Sequence, residues 1–137
     1  MDQVQEFIDN WKQDDLGIKP IFISLLGELK NKEAVETEFH ARPGITYSLR
    51  GIHKKQTNRP LFVMIDVIDD DPTQRWLSVC FFGDTIADPE ELGDLIPGGL
   101  LGADGYCFDI TESDESLRQY VGSRIQEAYL HAGNGEG

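Results

Sequence analysis

Residues 35–50 read VETEFHARPGITYSLR, and their alternating pattern decides the fold. In residues 35–39, two apolar residues and a threonine (Val35, Thr37 and Phe39) alternate with two glutamates (Glu36 and Glu38). In residues 45–50, the polar residues Thr46, Ser48 and Arg50 alternate with the apolar residues Ile45, Tyr47 and Leu49. The residues Arg42-Pro43-Gly44 between the runs are typical of a turn. The stretch therefore predicts a β-hairpin with one solvated face.

Two longer apolar runs follow the hairpin and predict central strands. Leu61–Ile68 and Trp76–Phe82 are apolar on both faces, and Asp69–Pro72 between them is a turn. Parallel neighbours need a crossover of a dozen or more residues, so these short turns predict an antiparallel sheet. The residues Gly105–Ile110 predict a fifth strand.

Segments with helical periodicity lie before and after the predicted strands in the sequence. Apolar residues recur at helical spacing in three segments, listed here in chain order: Val4, Phe7, Ile8 and Trp11; Ile21, Phe22, Leu25, Leu26 and Leu29; Leu117, Tyr120, Val121, Ile125, Ala128 and Tyr129. Ser113 or Asp114 would cap the last helix. The predicted fold is α+β: an antiparallel sheet of about five strands packed against N-terminal helices and a long C-terminal helix. We expect residues 1–132 to form a single globular domain and residues 133–137 to form a disordered tail.

The segment Gly83–Asp104 fits no single element. Asp88-Pro89-Glu90-Glu91 has the residues of a helix N-terminus and predicts one or two helical turns. Its apolar residues are too many for a free linker. They either pack on the sheet or pair two copies of the chain in a homodimer: Leu92, Leu95, Ile96, Leu100 and Leu101. We expect any small-molecule site to lie beside this segment.

Charge excludes two classes of partner. Of 137 residues, 12 are Lys or Arg and 25 are Asp or Glu, so the formal net charge is −13. Such a chain repels nucleic-acid phosphates and anionic lipid surfaces at long range. We therefore expect neither a nucleic-acid partner nor a membrane partner for this acidic protein.

The two cysteines have the surroundings of small buried apolar residues. Cys80 and Cys107 each lie between apolar residues, and the first residues lack the basic and apolar regions of a secretory signal. We expect both to be buried free thiols in a cytoplasmic protein.

Two groups of residues are candidate sites. The hairpin carries four residues that could bind an anion, and they predict a pocket for an anionic small molecule: His40, Arg42, Tyr47 and Arg50. Asp69, Asp70 and Asp71, near Asp66, form the densest carboxylate cluster and suit a hard cation, although a turn held by aspartates explains them as well. No phosphate loop, dinucleotide fingerprint or catalytic motif is present, and no motif requires a cofactor.

The order of elements resembles small bacterial domains of the YdhG-like and MmcQ/YjbR-like group. The resemblance covers residues 18–132, with GITYSL and PLFVMIDVI as its closest stretches. Domains of this shape have been suggested to bind DNA, and frataxin, with a related sandwich, binds iron through acidic residues. The charge of −13 departs from the DNA suggestion, and segment 83–104 has no counterpart in that group, so the resemblance transfers no functional residue.

Three functions follow as hypotheses. The leading one is a cytoplasmic binding module for a small molecule or a protein, and a binding role is favoured over catalysis. The first alternative is a frataxin-like metal-binding protein that uses Asp69–Asp71 or the acids of the first segment: Glu6, Asp9, Asp14 and Asp15. The second alternative is a small enzyme with its site at the 40–50 hairpin, gated by the 83–104 loop.

Overall fold

A computed structural model describes residues 2–136 of the chain, and its side chains through Asn134. The three α-helices are α1 (Gln3–Asn10), α2 (Lys19–Lys30) and α3 (Glu115–His131). The six strands are β1 (Val35–Arg42), β2 (Thr46–His53), β3 (Val63–Ile68), β4 (Trp76–Phe82), β5 (Asp94–Leu100) and β6 (Ala103–Ile110).

All six strands form one antiparallel sheet in the order β1-β2-β3-β4-β6-β5. The antiparallel prediction is confirmed, but the sheet has six strands rather than five. The additional strand, β5, pairs with β6 through a two-residue turn at Leu101 and Gly102, which both have positive φ angles of 52° and 88°. Turns with two positive φ angles favour Asn or Gly, so the leucine hides this hairpin in the sequence.

The helices pack on one face of the sheet. Fully buried side chains on this face of β2, β3, β4 and β6 pack with those of the helices, among them Leu49, Ile65, Val79, Phe108, Phe22, Leu25 and Ile125. Asp2 and Asp114 cap α1 and α3 by accepting hydrogen bonds from backbone N–H groups. A second, smaller cluster lies on the opposite face: Leu61, Cys80, Phe82, Leu100 and Cys107.

The helix predicted after Asp88 does not form. Glu91 has a positive φ of 54°, which no α-helix tolerates. The Asp88 carboxylate accepts hydrogen bonds from Leu92 N and Gly93 N (3.1 and 2.9 Å), so it closes an irregular turn that leads directly into β5.

The prediction of free thiols is wrong. Cys80 on β4 and Cys107 on β6 lie directly opposite each other, with their Cα atoms 4.1 Å apart, and form a disulfide. The two residues are 27 positions apart in sequence, and only the β4–β6 pairing brings them together. Disulfides are rare in reducing compartments, so this bond does not support the expected cytoplasmic location, which stays a prediction.

The C-terminal end continues as helix. A π-helical turn follows α3 over Ala132–Glu136, where the sequence predicts a disordered tail at 133–137; Gly137 lies outside the described residues. Within residues 2–136, none of the helices combines the length and apolar character needed to cross a membrane.

Candidate functional site

The structure separates the four residues predicted to form an anion pocket. His40, Arg42 and Arg50 lie on the face of the sheet that carries no helix, since each is in register with a neighbour on that face. Tyr47 lies on the opposite face, where its ring stacks on Phe7 with centroids 4.2 Å apart. Side chains of adjacent residues point to opposite faces, so odd-numbered Tyr47 cannot join the even-numbered residues of its strand.

The helix-free face carries a polar row at its centre. Asp66 on β3 lies between Ser48 on β2 and Ser78 on β4 in the register of the sheet. Burial raises the pKa of the Asp66 carboxyl, and the Ser48 hydroxyl and the charges of Arg50 and Arg42 oppose that rise. One carboxyl oxygen, Oδ1, is buried without a hydrogen-bond partner among the described residues. Ser48 is 4% exposed, whereas Asp66 and Ser78 are half-buried, so the row is partly accessible to solvent.

The carboxylates predicted to bind a metal hold turns together. Asp69 is buried, accepts a hydrogen bond from Gly44 N at 2.8 Å and pairs with Arg75 Nε at 2.7 Å. Asp71 accepts hydrogen bonds from the backbone N–H and hydroxyl of Thr73. In the part of the chain that the structure describes, no group of three or more His, Cys, Asp or Glu side chains could hold a metal ion. Through its bonds to Gly44 and Arg75, Asp69 joins the β1–β2 turn to the β3–β4 turn.

A cleft between α1 and β1 is one of the cavities that could hold a ligand. We call it the aromatic cleft; its volume is about 240 Å³. Three aromatic rings form its walls: Phe7, Phe39 and Tyr47. Its rim is polar and consists of Gln3, Glu6 and Asn10, while Ala41 and Arg75 complete the lining.

Arg75 fixes the inner end of the aromatic cleft. Its guanidinium carbon lies 5.1, 5.3 and 5.4 Å from the ring centroids of Phe7, Trp11 and Tyr47. The charge is balanced by the buried carboxylate of Asp69. Because the cation is paired and held among rings, it acts as a planar wall rather than as a free anion-binding group. The cleft therefore suits a flat or apolar group with a polar edge.

A larger cavity of about 470 Å³ lies beside segment 83–104, at Phe82, Leu95 and Asp104. The expectation that a small-molecule site lies beside this segment stays a prediction. The charged groups of this cavity already have hydrogen-bond partners within the protein. Arg59 donates two hydrogen bonds to Asp84 (2.7 and 2.9 Å) and lies over the Phe82 ring, and Asp104 Oδ1 accepts a hydrogen bond from Gly98 N. These bonds leave fewer free polar groups for a ligand than the rim of the aromatic cleft offers.

The apolar residues of segment 83–104 divide into two sets. Leu100 is fully buried against the helix-free face. The other four are 43–56% exposed: Leu92, Leu95, Ile96 and Leu101. The structure excludes Leu100 from a homodimer contact surface. The remaining four are exposed on β5 and its flanking turns, with Leu95 and Ile96 on opposite faces of the strand.

Sequence reasoning missed Phe7, Phe39 and Arg75 as site residues. The period of two places Phe39 and Tyr47 on the same face, which is a usable signal. Phe7 belongs to a helix that is distant in sequence, and Arg75 reaches the cleft from the β3–β4 turn, so no local pattern brings them together.

No protein-family model, curated protein or solved structure matches this chain. The resemblance to the YdhG-like and MmcQ/YjbR-like group therefore stays a prediction, and it supplies no residue assignment.

Proposed function

We propose that this protein is a binding module and that its ligand inserts a flat, largely apolar group into the aromatic cleft. The observation that carries the proposal is the pair of half-buried rings, Phe39 and Tyr47, at the mouth of a cleft with a polar rim. Half-buried aromatic side chains can bury further area when a ligand binds, and amide groups such as those of Gln3 and Asn10 can orient it.

The size of the aromatic cleft limits the ligand. Pockets for drug-sized molecules have volumes of roughly 300–1,000 Å³, whereas this cleft has about 240 Å³. A single ring or one side chain therefore fits, and a nucleotide does not. Stacking of one ring on another contributes about 0.5–1.5 kcal/mol beyond the area that it buries.

Binding is better supported than catalysis. A catalytic site needs an acid or base within hydrogen-bond reach of the reacting atoms. Among the described residues that line the aromatic cleft, Glu6 is exposed on the rim, and Arg75 is committed to Asp69. His40, the histidine of the predicted hairpin site, is on the far face and pairs with Glu38 at 3.2 Å.

Fragment titration followed by NMR tests this function. We expect indole and 4-methylphenol to shift the amide signals of Phe39, Ala41 and Tyr47, with Kd on the order of 1 mM, as the small atom count of such fragments implies. Phe39→Ala should weaken binding about five- to tenfold because it removes one stacking partner.

The matched control is Leu95→Ala, which removes an exposed apolar side chain from the larger cavity. It should leave fragment affinity unchanged. Shifts that map to Phe82 and Leu95 instead of the aromatic cleft would place the site in the other cavity and contradict the proposal.

A further inference from the structure

Strand β1 is an edge strand whose outward hydrogen-bonding groups belong to its odd-numbered residues. Within residues 2–136 it pairs with β2 on one side and with no strand on the other. The hydrogen bond from Lys54 N to Ala34 O (2.8 Å) extends the β1–β2 ladder and sets its phase. Bonded and non-bonded pairs alternate in an antiparallel ladder, so the even-numbered residues of β1 bond to β2. The N–H and C=O groups of Thr37, Phe39 and Ala41 therefore point away from the sheet.

The charges of β1 change sign along the strand. Glu36 and Glu38 in its first half are followed by His40 and Arg42 in its second half, and all four side chains are exposed on the helix-free face. A two-fold axis brings residue i of one copy to residue j of the other and residue j to residue i. A strand with acids at one end and basic residues at the other is therefore complementary to an antiparallel copy of itself.

One register pairs every one of these charges with its opposite. When the two-fold axis passes through Phe39, Glu36 faces the partner's Arg42 and Glu38 faces the partner's His40. Moving the axis by one residue sets Glu38 against the partner's Glu38 in one direction, and His40 against the partner's His40 in the other. Opposite charges on facing strands stabilise pairing and like charges destabilise it. The charges therefore select an axis at Phe39.

The outward backbone groups fit the same register. With the axis at Phe39, Phe39 faces the partner's Phe39 and Thr37 faces the partner's Ala41, so outward N–H and C=O groups meet outward groups. The ladder then ends at Pro43, which has no N–H to donate. The phase of the hydrogen bonds and the order of the charges are separate observations, and both are satisfied by one axis.

The net charge of the chain does not prevent this contact. A charge of −13 on each copy repels a second copy at long range, but salt at physiological ionic strength screens exposed charges beyond about 8 Å. Facing residues of two paired strands are only about 5 Å apart. The paired charges of β1 therefore act at short range, where the distant acids of the chain contribute little.

The other edge of the sheet is less suited to pairing. Strand β5 contains Pro97, and its register shifts between Ile96 and Leu100. Proline and irregularity are features by which proteins block pairing at an edge. Strand β1 has eight residues in continuous register and contains no proline.

An axis at Phe39 also brings two aromatic clefts together. Phe39 and Ala41 line the aromatic cleft, and the ring of Phe39 is half-buried at its mouth. Side chains of facing residues lie on the same face of a sheet, so the partner's Phe39 would stand beside Phe39 at that mouth. Each copy would thereby contribute an aromatic ring to the entrance of the other copy's cleft.

We propose that β1 pairs antiparallel with β1 of a second copy of this chain about a two-fold axis at Phe39, so that two sheets join into one and two aromatic clefts meet at the dimer contact. The dimer is argued from β1 itself, and it extends the proposed function by placing two ligand sites side by side. A contact built on one strand from each copy is small, so the dimer should be reversible and depend on concentration.

An exchange of charges between two variants tests the dimer and its register. Glu36→Arg and Arg42→Glu each set like charges opposite each other twice in a homodimer, so each should weaken dimerisation by about tenfold or more. A 1:1 mixture of the two variants restores both pairs of opposite charges, so it should dimerise like the unmodified protein. Sedimentation over a concentration series measures all three samples. Glu112→Arg, at an exposed position remote from β1 in the strand order, makes the same change in net charge and should leave dimerisation unchanged.

Cysteine crosslinking tests the position of the axis. In Phe39→Cys the two introduced thiols would face each other across a bonded pair, where Cα atoms are about 5.5 Å apart and a disulfide can form. In Thr37→Cys the two thiols would be four residues apart along the strands, about 13 Å, which no disulfide spans. Diamide should therefore convert Phe39→Cys, but not Thr37→Cys, into a covalent dimer on a non-reducing gel.

Three outcomes would overturn the β1 dimer. They are an unmodified protein that stays monomeric at every concentration, a 1:1 mixture that dimerises no better than its two variants, and equal crosslinking of Phe39→Cys and Thr37→Cys. The first would leave the edge to another protein. Melting temperatures check that the variants fold, and sedimentation of the unmodified protein decides the matter even where one does not.

Fragment titration separates this inference from the proposed function. Indole should still bind to Glu36→Arg, because the walls of the aromatic cleft come from a single chain. Loss of indole binding in the unmodified protein would contradict the aromatic cleft and leave the dimer standing, whereas a monomeric unmodified protein that binds indole would contradict the dimer alone.

Discussion

Asp88 shows how one carboxylate can organise a long irregular segment. It accepts hydrogen bonds from the hydroxyls of Tyr106 (2.8 Å) and Tyr120, in addition to the backbone N–H groups of Leu92 and Gly93. The segment before β5 is thereby tied to β6 and to α3. Burial alone would raise the pKa of Asp88, but the hydrogen bonds from Tyr120, from the backbone and from Tyr106 outweigh it and lower the pKa to about 2.

We predict that Asp88→Asn lowers stability by about 1–2 kcal/mol, because hydrogen bonds to a charged acceptor are lost or weakened. An unperturbed aspartate has a pKa of about 3.9. Since the folded pKa is lower, the stabilisation is complete above about pH 5 and is lost progressively as the pH falls through 2.

Urea denaturation between pH 5 and pH 2 measures this prediction. The unmodified protein should lose stability more steeply over that range than Asp88→Asn. Asp70→Asn, at an exposed position in the β3–β4 turn, serves as the control and should follow the unmodified protein. Parallel curves for Asp88→Asn and the unmodified protein would contradict this account of Asp88.

At the scale of elements, the disulfide joins the meander β1–β4 to the β5–β6 hairpin. Cys80 and Cys107 lie in the small cluster on the helix-free face, beside Leu100 and Phe82. That cluster has few members, so the covalent bond supplements a limited apolar contact. Removing the bond should weaken the attachment of β6 to β4 and leave the helix-packed face in place.

We predict that reduction of the disulfide lowers the free energy of unfolding by about 3–4 kcal/mol, as chain entropy implies for a loop of this length. The measurement is urea denaturation with and without dithiothreitol. The variant Cys80→Ala/Cys107→Ala should not respond to the reductant. Titration of the denatured, unreduced protein should detect no thiol; two thiols per chain would restore the expectation made from the sequence.

At the scale of the whole molecule, strand β5 presents apolar residues to both solvent and interior. Leu95 is 56% exposed, whereas Leu100 is fully buried five residues later. The bulge and the glycines between them turn the end of the strand onto the sheet face. Substitutions at these two leucines therefore test surface contacts and core packing separately.

We predict that Leu100→Asp destabilises the protein by more than about 3 kcal/mol, because it places an unpaired charge among buried side chains. Leu95→Asp should change the melting temperature little. Light scattering on Leu95→Asp then reports on self-association: a fall in mass from dimer to monomer would show that the exposed side chain of Leu95 lies in a contact between two copies. Equal melting temperatures for the two variants would contradict the burial of Leu100.

Local properties of the chain predicted most of its elements. The period of two located β1 and β2, and the bounds of β4 agree with the predicted run Trp76–Phe82. Strand β5 was missed because a leucine occupies its tight turn and Pro97 interrupts its pattern. The disulfide was missed because it depends on the order of strands, which no local pattern contains.

The aromatic cleft was predictable only in part. Phe39 and Tyr47 share a face by parity, but the hairpin hypothesis grouped Tyr47 with residues of the other face. The contacts of Phe7 and Arg75 with Tyr47 depend on how α1 and the β3–β4 turn are placed on the sheet. Such long-range placement is decided by packing rather than by periodicity.

The strand order has a consequence for how the chain folds. Strands β1 to β4 pair with their neighbours in sequence, so each pairing closes a short loop and loses little chain entropy. Pairing of β6 with β4, past the intervening β5, is the more remote step, and the core residues of α3 come from the end of the chain. During synthesis on a ribosome, the first four strands can therefore assemble early, and the last helix completes the core only after it has emerged.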